Sequence, residues 1–114
     1  MYLITEGPIV VTFEKEYLRE LYETEKTTDK KYRFQPPIVS RYVRCVDLLL
    51  SAPNLEALYK FNSLKYEVLK GNKKGISSIR VNDQYRIEFL TTKVNEAEAF
   101  ITVCNIIELS SHYK

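Results

Sequence analysis

A helical stripe enclosed by prolines is the feature that most constrains the fold of this chain. Pro36 and Pro37 suit the first turn of a helix, and the residue that precedes Pro53 is disfavoured in helical geometry. Between these prolines the apolar residues recur at helical spacing: Ile38, Val39, Tyr42, Val43, Val46, Leu49 and Leu50. The pattern predicts a helix that starts at Pro36, ends before Pro53 and buries this stripe against a second layer.

The flanking segments supply the remaining elements. Ile9–Phe13 is a short β-type run, Glu14–Glu25 carries a second helical stripe, and Asn54–Tyr59 predicts one or two helical turns. Further on, a polar break at Thr91–Glu96 precedes Ala97–Ile107, which is apolar on both sides and typical of a strand covered on both faces. The order of elements predicts an α+β domain of two layers, with N-terminal helices packed on an antiparallel β-sheet, in a single domain spanning residues 1–114.

A β-hairpin is predicted between residues 79 and 89. The apolar residues alternate there: Ile79 and Val81, then Tyr85, Ile87 and Phe89. A three-residue turn, Asn82–Gln84, pairs the two strands so that Arg80 lies directly opposite Arg86. Like charges in this position repel each other. Either an anion or an acidic neighbour such as Glu88 lies between the two arginines, or they are solvated separately on an exposed face.

Positive charge is concentrated in the same region. Residues 60–86 contain seven basic and two acidic residues, a net charge of +5, whereas ten basic and thirteen acidic residues elsewhere leave −3. The net charge of +2 for the whole chain conceals this asymmetry. Such a field on one part of a small domain favours a polyanionic partner.

Other classes of site receive no support from the sequence. Cys45 and Cys104 form no metal-binding motif and are predicted to be buried free thiols, and His112 is the only histidine. No apolar run is long enough for a membrane span, and Glu6 stands where a signal peptide would carry positive charge. We therefore expect a cytoplasmic protein that has no metal and no membrane partner.

The segment 69–87, LKGNKKGISSIRVNDQYRI, resembles the LKG…G…SIR and QYRI signature of HigB-type toxins in the RelE superfamily. The preceding FNSLKYEVLKG and the C-terminal TVCNIIELSSHYK are similar to one branch of that family. The resemblance covers most of the chain. It implies the toxin of a type II toxin–antitoxin system, a ribosome-dependent endoribonuclease that cleaves messenger RNA and is held inactive by a HigA-type antitoxin with a helix-turn-helix domain. Operator DNA is then contacted only through the antitoxin.

The resemblance also implies an active site without metal or cofactor. Cleavage by attack of the ribose 2′-hydroxyl requires cations around the phosphorane, a proton acceptor and a proton donor. The family motif maps the cations onto Lys70, Arg80 and Arg86, and proton transfer onto His112 or Tyr113 at the C-terminal end.

Two departures from the family pattern affect these assignments. Several members carry a histidine three residues before the motif lysine, where this chain has Glu67, and end in Asp-Tyr-His, where this chain has a longer segment from Glu108. Glu67 either accepts a proton or pairs with Lys70 at three-residue spacing. His112 is either catalytic or a solvated residue near a chain end.

Three further lysines, Lys65, Lys73 and Lys74, are predicted contacts for RNA phosphates. Gly71 and Gly75 flank two of them and predict a flexible exposed loop, which serves either RNA binding or solubility alone. Two other functions fit the same surface: a noncatalytic module that binds RNA or the ribosome, and an antitoxin-bound transcriptional co-repressor.

Overall fold

The computed structural model describes residues 2–5, 9–96 and 99–111. The regular elements, including four 3₁₀ turns labelled η, are β1 Tyr2–Thr5, β2 Ile9–Phe13, α1 Glu16–Thr24, η1 Lys30–Tyr32, α2 Pro36–Ser51, η2 Leu55–Lys60, η3 Asn62–Leu64, β3 Glu67–Val68, η4 Gly71–Lys73, β4 Ser77–Arg80, β5 Tyr85–Glu96 and β6 Ala99–Ser111. The α+β class is confirmed. Among the described residues no helix is long and apolar enough to cross a membrane.

The strands form one six-stranded sheet in the order β1-β2-β6-β5-β4-β3. Neighbouring strands are antiparallel except β2 and β6, which run parallel, with Ile9 opposite Thr102 and Phe13 opposite Ile106. The sheet is therefore mixed, and the expectation of an antiparallel sheet is wrong in this one pairing. Adjacent parallel strands need a long crossover, and the segment that contains both helices and strands β3, β4 and β5 provides it.

The proline-bounded helix forms as predicted. Helix α2 begins at Pro36 and ends at Ser51, and Ala52 caps it by donating its backbone N–H to the carbonyl of Leu49 at 3.4 Å. The predicted stripe is buried apart from Val43, which is half-buried, and Cys45 joins it. Cys45 and Cys104 are both buried free thiols, as predicted.

Both helices pack on the same face of the sheet. The core contains Leu18 and Leu21 of α1, the stripe of α2, and sheet residues on alternate positions: Ile9, Val11, Phe13, Ile79, Ile87, Phe89, Cys104 and Ile106. Each fully buried side chain of this size contributes about 1.5–3 kcal/mol of transfer free energy. We call this the inner face of the sheet, and the opposite one the outer face.

The hairpin has the predicted register, with Ile79 opposite Ile87 and Arg80 opposite Arg86. Asn82 stabilises the turn, because its Oδ1 accepts hydrogen bonds from the backbone N–H groups of Gln84 and Tyr85, both at 2.8 Å. The predicted polar break at Thr91–Glu96 is wrong, since β5 continues to Glu96. Its partners in β6 supply the backbone hydrogen bonds that the local sequence does not indicate.

A register shift between Glu88 and Phe89 makes β6 irregular opposite the hairpin. Glu88 pairs with Glu108 but Phe89 pairs with Ile106, so Ile107 is an extra residue in β6. The bulge restores the alternation on both sides: Ile106 and Leu109 both lie in the core, whereas Glu108 is exposed.

The first testable consequence concerns Tyr42, which is 0% exposed and donates its hydroxyl to the carbonyl of Leu18 at 2.8 Å. Tyr42→Phe removes this hydrogen bond while the Leu18 carbonyl keeps its position inside helix α1, so we expect a loss of about 0.5–1.5 kcal/mol in the free energy of unfolding by urea at pH 7. Tyr59→Phe is the matched control, because Tyr59 is 58% exposed. Equal effects of the two substitutions would contradict the role of the buried hydrogen bond.

The same residue predicts a pH dependence. Burial raises the pKa of Tyr42 well above its usual value, whereas in the unfolded chain the phenol titrates near about 10. Above that pH the unfolded state binds fewer protons than the folded state, so stability falls as pH rises. Tyr42→Phe removes this contribution, and the stability difference between wild type and variant is expected to narrow when urea unfolding is repeated between pH 9 and 11.

Candidate active site

Two rows of polar side chains cross the outer face of the sheet at its β3–β6 end. Arg80, Arg86 and Ser110 occupy paired positions on β4, β5 and β6 and form one row. The neighbouring row contains paired positions of all four strands: Glu67, Ser78, Glu88 and Glu108. Residues of like register on adjacent strands point to the same side, so a basic row lies beside an acidic one.

Glu88 is the buried charge at the centre of this arrangement. Its side chain is 3% exposed, and its Oε2 lies 2.7 Å from Nζ of Lys73 and 3.3 Å from Nε of Arg86. The first contact is a hydrogen bond, whereas Nε of Arg86 is buried and makes none. The contact with Arg86 is therefore electrostatic. A buried carboxylate requires such cations, because removing it from water without them is costly.

Each arginine of the basic row carries an acidic partner. Nη2 of Arg80 donates to Oδ1 of Asp83 in the hairpin turn, and Nη1 of Arg86 lies 3.9 Å from Oε1 of Glu67. Glu88 contacts Arg86 and Lys73 but does not lie between the two arginines as an acidic bridge. Lys70 has no ion pair with a described residue, so Glu67 pairs with Arg86 instead of the lysine that its spacing suggested.

A cleft of about 260 Å³ lies over these rows. It is lined by Lys65, Glu67, Ser78, Arg80, Asp83, Tyr85 and Arg86. The side chains of Arg80 and Arg86 are 34% and 17% exposed, so both guanidinium groups are partly desolvated and still accessible. Guanidinium groups bind phosphate through several donors in a fixed geometry. The cleft therefore offers two cationic ligands for a phosphate, and carboxylates that a ligand would displace.

The loop before β4 is a compact turn. Leu69 and Ile76 are joined by a 2.8 Å backbone hydrogen bond, and Lys74 donates its backbone N–H to the carbonyl of Gly71 at 3.1 Å. Gly71 and Gly75 have φ values of +69° and +91°, which side chains rarely adopt. The glycines thus permit a tight turn that brings Lys73 onto Glu88. The loop is exposed, as expected from the sequence, except at the half-buried Lys73.

Lys65 enters the cleft with an uncommon backbone conformation. It caps η3 with φ 45° and ψ 49°, and its backbone N–H donates to the carbonyl of Asn62 at 3.2 Å. The left-handed region costs a residue with a Cβ about 1–2 kcal/mol, and such residues occur often at functional sites. The backbone therefore turns sharply at one of the predicted RNA-contacting lysines.

The structure assembles part of the predicted site. Lys65, Glu67, Arg80 and Arg86 line the cleft, and Lys73 lies beside it on Glu88. Lys70 and Lys74 are exposed on the adjacent loop and do not line the cleft. His112 and Tyr113 lie outside the described residues. Within the described ranges no three His, Cys, Asp or Glu residues are grouped so that they could hold a metal ion.

Three residues that line the cleft are not among the site residues predicted from the sequence: Ser78, Asp83 and Tyr85. Ser78 was recoverable, because strand alternation places it on the same face as Arg80. The sequence predicts Asp83 as a turn residue, and its position three residues after Arg80 also allows the ion pair. Strand alternation predicts Tyr85 on the buried face. It contacts Phe34 edge-to-face with ring centroids 5.5 Å apart, and it also borders the cleft.

The chain is similar to known toxins in sequence and in fold. A family model described as RelE-like toxin of type II toxin-antitoxin system HigB matches residues 11–102. Among five matching solved chains is a YoeB/ParE toxin from Agrobacterium tumefaciens, with a TM-score of 0.51, 15% sequence identity, and coverage of 90% of this chain and 98% of that chain. At this identity the likeness shows the shared fold. No curated protein sequence matches the chain at a significant level.

The geometry predicts that Glu88 stabilises the site. Glu88→Gln removes the counter-charge of Lys73 and Arg86, and because both cations keep some contact with water we expect a loss of about 1–3 kcal/mol in the free energy of unfolding by urea at pH 7. Glu108→Gln is the matched control, since Glu108 lies directly opposite Glu88 but is exposed; its effect should stay within about 0.5 kcal/mol. Similar stabilities of the two variants would refute this assignment.

Proposed function

This chain belongs to the family of HigB-like, RelE-like toxins of type II toxin–antitoxin systems, and on that premise we propose that it is a metal-independent endoribonuclease that cleaves messenger RNA on the ribosome. The single observation that carries the proposal is the pair of partly exposed guanidinium groups, Arg80 and Arg86, in one cleft. Two converging cations suit the charge that develops on a phosphorane.

In the proposed reaction the ribose 2′-hydroxyl attacks the adjacent phosphorus. Its proton passes to a base, the bond from phosphorus to the 5′-oxygen breaks, and that oxygen receives a proton as it leaves. Arg80 and Arg86 bind the nonbridging oxygens of the phosphate and stabilise their added negative charge. To do so, the phosphate displaces Asp83 from Arg80 and competes with Glu67 for Arg86, while Glu88 keeps its buried contact with Arg86.

We assign the proton transfers to Glu67, His112 and Tyr113. The side chain of Glu67 is 59% exposed at the rim of the cleft, so its carboxylate is accessible to a bound hydroxyl. His112 and Tyr113 follow β6, whose Ser110 is paired with Arg86. Lys65 is proposed to bind the RNA backbone within the cleft, and Lys70, Lys73 and Lys74 to bind it along the loop.

The family membership implies an antitoxin partner. We propose that this partner is of the HigA type, that its helix-turn-helix domain alone contacts operator DNA, and that the toxin acts in the cytoplasm where ribosomes and messenger RNA are available. The exposed carboxylates that pair with the two arginines are consistent with dependence on the ribosome, because a substrate that the ribosome also holds can displace them more readily than free RNA can.

Arg80→Ala is the cleaner test of the site. Its partner Asp83 is 88% exposed and tolerates the loss of the ion pair, whereas Arg86→Ala would leave the buried Glu88 with Lys73 alone. We therefore expect Arg80→Ala to keep the stability of the wild type and to lower cleavage about 100-fold or more, while Arg86→Ala loses both activity and stability. Arg86→Lys keeps a positive charge beside Glu88, so it separates the effect of Arg86 on activity from its effect on stability.

The measurement is primer-extension mapping of a reporter transcript after brief induction in cells without the antitoxin. New codon-spaced 5′ ends are expected with the wild type and with Arg33→Ala, a control at an exposed arginine outside the cleft, but not with Arg80→Ala. Undiminished cleavage by Arg80→Ala would overturn its assignment. Intact transcripts with soluble wild-type protein, together with salt-sensitive RNA binding, would replace the proposal by a noncatalytic binding module.

A further inference from the structure

A second groove lies beside the proposed catalytic cleft, between α2 and the turns that follow it. Its volume is about 410 Å³, and α2 contributes Arg41, Arg44 and Leu48 while Phe61 lies on the opposite side. Arg80 borders both this groove and the catalytic cleft. Sγ of Cys45 donates to the carbonyl of Arg80 at 3.6 Å, which joins α2 to the end of β4 where the two sites meet.

The charges of the groove are of one sign. Its lining includes three arginines, Arg41, Arg44 and Arg80, and no acidic residue. Arg41 and Arg44 are exposed, and neither makes an ion pair or side-chain hydrogen bond with any of the residues that the structure describes. This distinguishes them from the arginines of the catalytic cleft, each of which has a carboxylate partner. Two exposed guanidinium groups in a groove whose lining contains no acidic residue give it an electrostatic preference for an anionic ligand.

The rest of the groove favours an anionic ligand that also has a flat ring face able to pack on aromatic and apolar side chains. Phe61 is 42% exposed at the rim, and the floor contains Leu48 and the buried side chains of Leu64 and Val81. Proteins that bind single-stranded nucleic acid combine cations for the backbone with an aromatic side chain for base stacking. An acidic peptide would also satisfy the arginines. Continuity with the cleft through Arg80 favours one polymer that spans both sites.

We propose that this groove binds the RNA nucleotides flanking the scissile phosphate, with a base stacked on Phe61 and backbone phosphates on Arg41 and Arg44. The inference rests on the proposed function for RNA as the ligand. It adds a subsite on α2 that the motif lysines and arginines do not include. Binding at this subsite would also help to hold the substrate while Asp83 and Glu67 are displaced from the catalytic arginines.

The test measures binding separately from cleavage. A short fluorescent single-stranded RNA with 2′-O-methyl groups cannot undergo 2′-hydroxyl attack, and its affinity is followed by fluorescence anisotropy across a series of salt concentrations. Arg41→Ala/Arg44→Ala should weaken binding at least tenfold at low salt, and should reduce the slope of log affinity against log salt by about 1.4, because a single strand contributes about 0.7 per phosphate contact. Phe61→Leu should weaken binding about tenfold with little change in slope.

Lys30→Ala/Lys31→Ala is the matched control, since it removes two exposed positive charges of η1 outside the groove. Urea unfolding of each variant verifies that the fold is retained. An equal loss of RNA affinity in the two double variants would show that only the net charge of the protein affects RNA binding, and would overturn the proposal. Unchanged RNA affinity together with lost binding of the antitoxin would overturn it in favour of an acidic protein partner.

Failure of this inference can be distinguished from failure of the proposed function. If the wild type cleaves transcripts and Arg80→Ala does not, but the groove variants bind RNA normally, the inference fails and the function stands. If the groove variants lose RNA binding while the wild type cleaves nothing, the RNA subsite stands without the enzyme. Binding to ribosomes with and without messenger RNA completes the test: a defect confined to message-bearing ribosomes supports the proposal, whereas an equal defect on empty ribosomes overturns it in favour of ribosomal RNA.

Discussion

One-sided burial of the two helices determines where the charged groups of this protein lie. Both apolar stripes are buried against the inner face of the sheet, so Ile79 and Ile87 must face the helices. Strand alternation then fixes Arg80 and Arg86 on the outer face. Because a shift of one residue would exchange the two sets, the hydrophobic core maintains the register of the site. The cleft is thus a consequence of packing that takes place on the other side of the sheet.

The acidic residues of the cleft have two different roles. Glu88 is buried between Lys73 and Arg86 and holds Arg86 in place. It does not compete strongly with an anionic ligand for the exposed part of Arg86. Asp83 and Glu67 are exposed partners of the two arginines and are replaceable. A small free anion would gain little by displacing them, because an exposed ion pair with either partner contributes only about 0–1 kcal/mol. A polymer with several simultaneous contacts gains more, which agrees with the proposal that RNA, and not free phosphate, binds at this site.

Local signals in the sequence predicted much of this structure. The prolines and stripe gave α2 with its observed start, and alternation with a three-residue turn gave the pairing of Arg80 with Arg86. What the sequence could not provide were contacts between distant segments. The parallel pairing of β2 with β6 and the continuation of β5 to Glu96 depend on partner strands, and the sheet was expected to be antiparallel for this reason.

The contrast between local signals and contacts of distant segments also applies to the cleft and to the groove beside α2. Arg80 and Arg86 were recognisable because they belong to one hairpin, and their cleft contains two further predicted residues, Lys65 and Glu67. The charge count for residues 60–86 did not include Arg41 and Arg44, since they come from α2 and meet Arg80 only in the folded chain. Likewise, the contact between Lys73 and Glu88 joins residues fifteen positions apart through the turn at Gly71 and Gly75.

The parallel pairing of β2 with β6 has a consequence for biosynthesis. Ile9 of β2 pairs with Thr102 of β6. Most of the chain therefore has to be synthesised before these two strands can pair in the middle of the sheet. Contacts this distant in sequence slow folding, because bringing the two ends of a long segment together costs conformational entropy before the contact forms. A nascent chain that lacks β6 leaves β2 and β5 with open edges and the row containing Arg86 without its neighbour Ser110. The toxin fold is therefore completed only after the ribosome making it has added this strand.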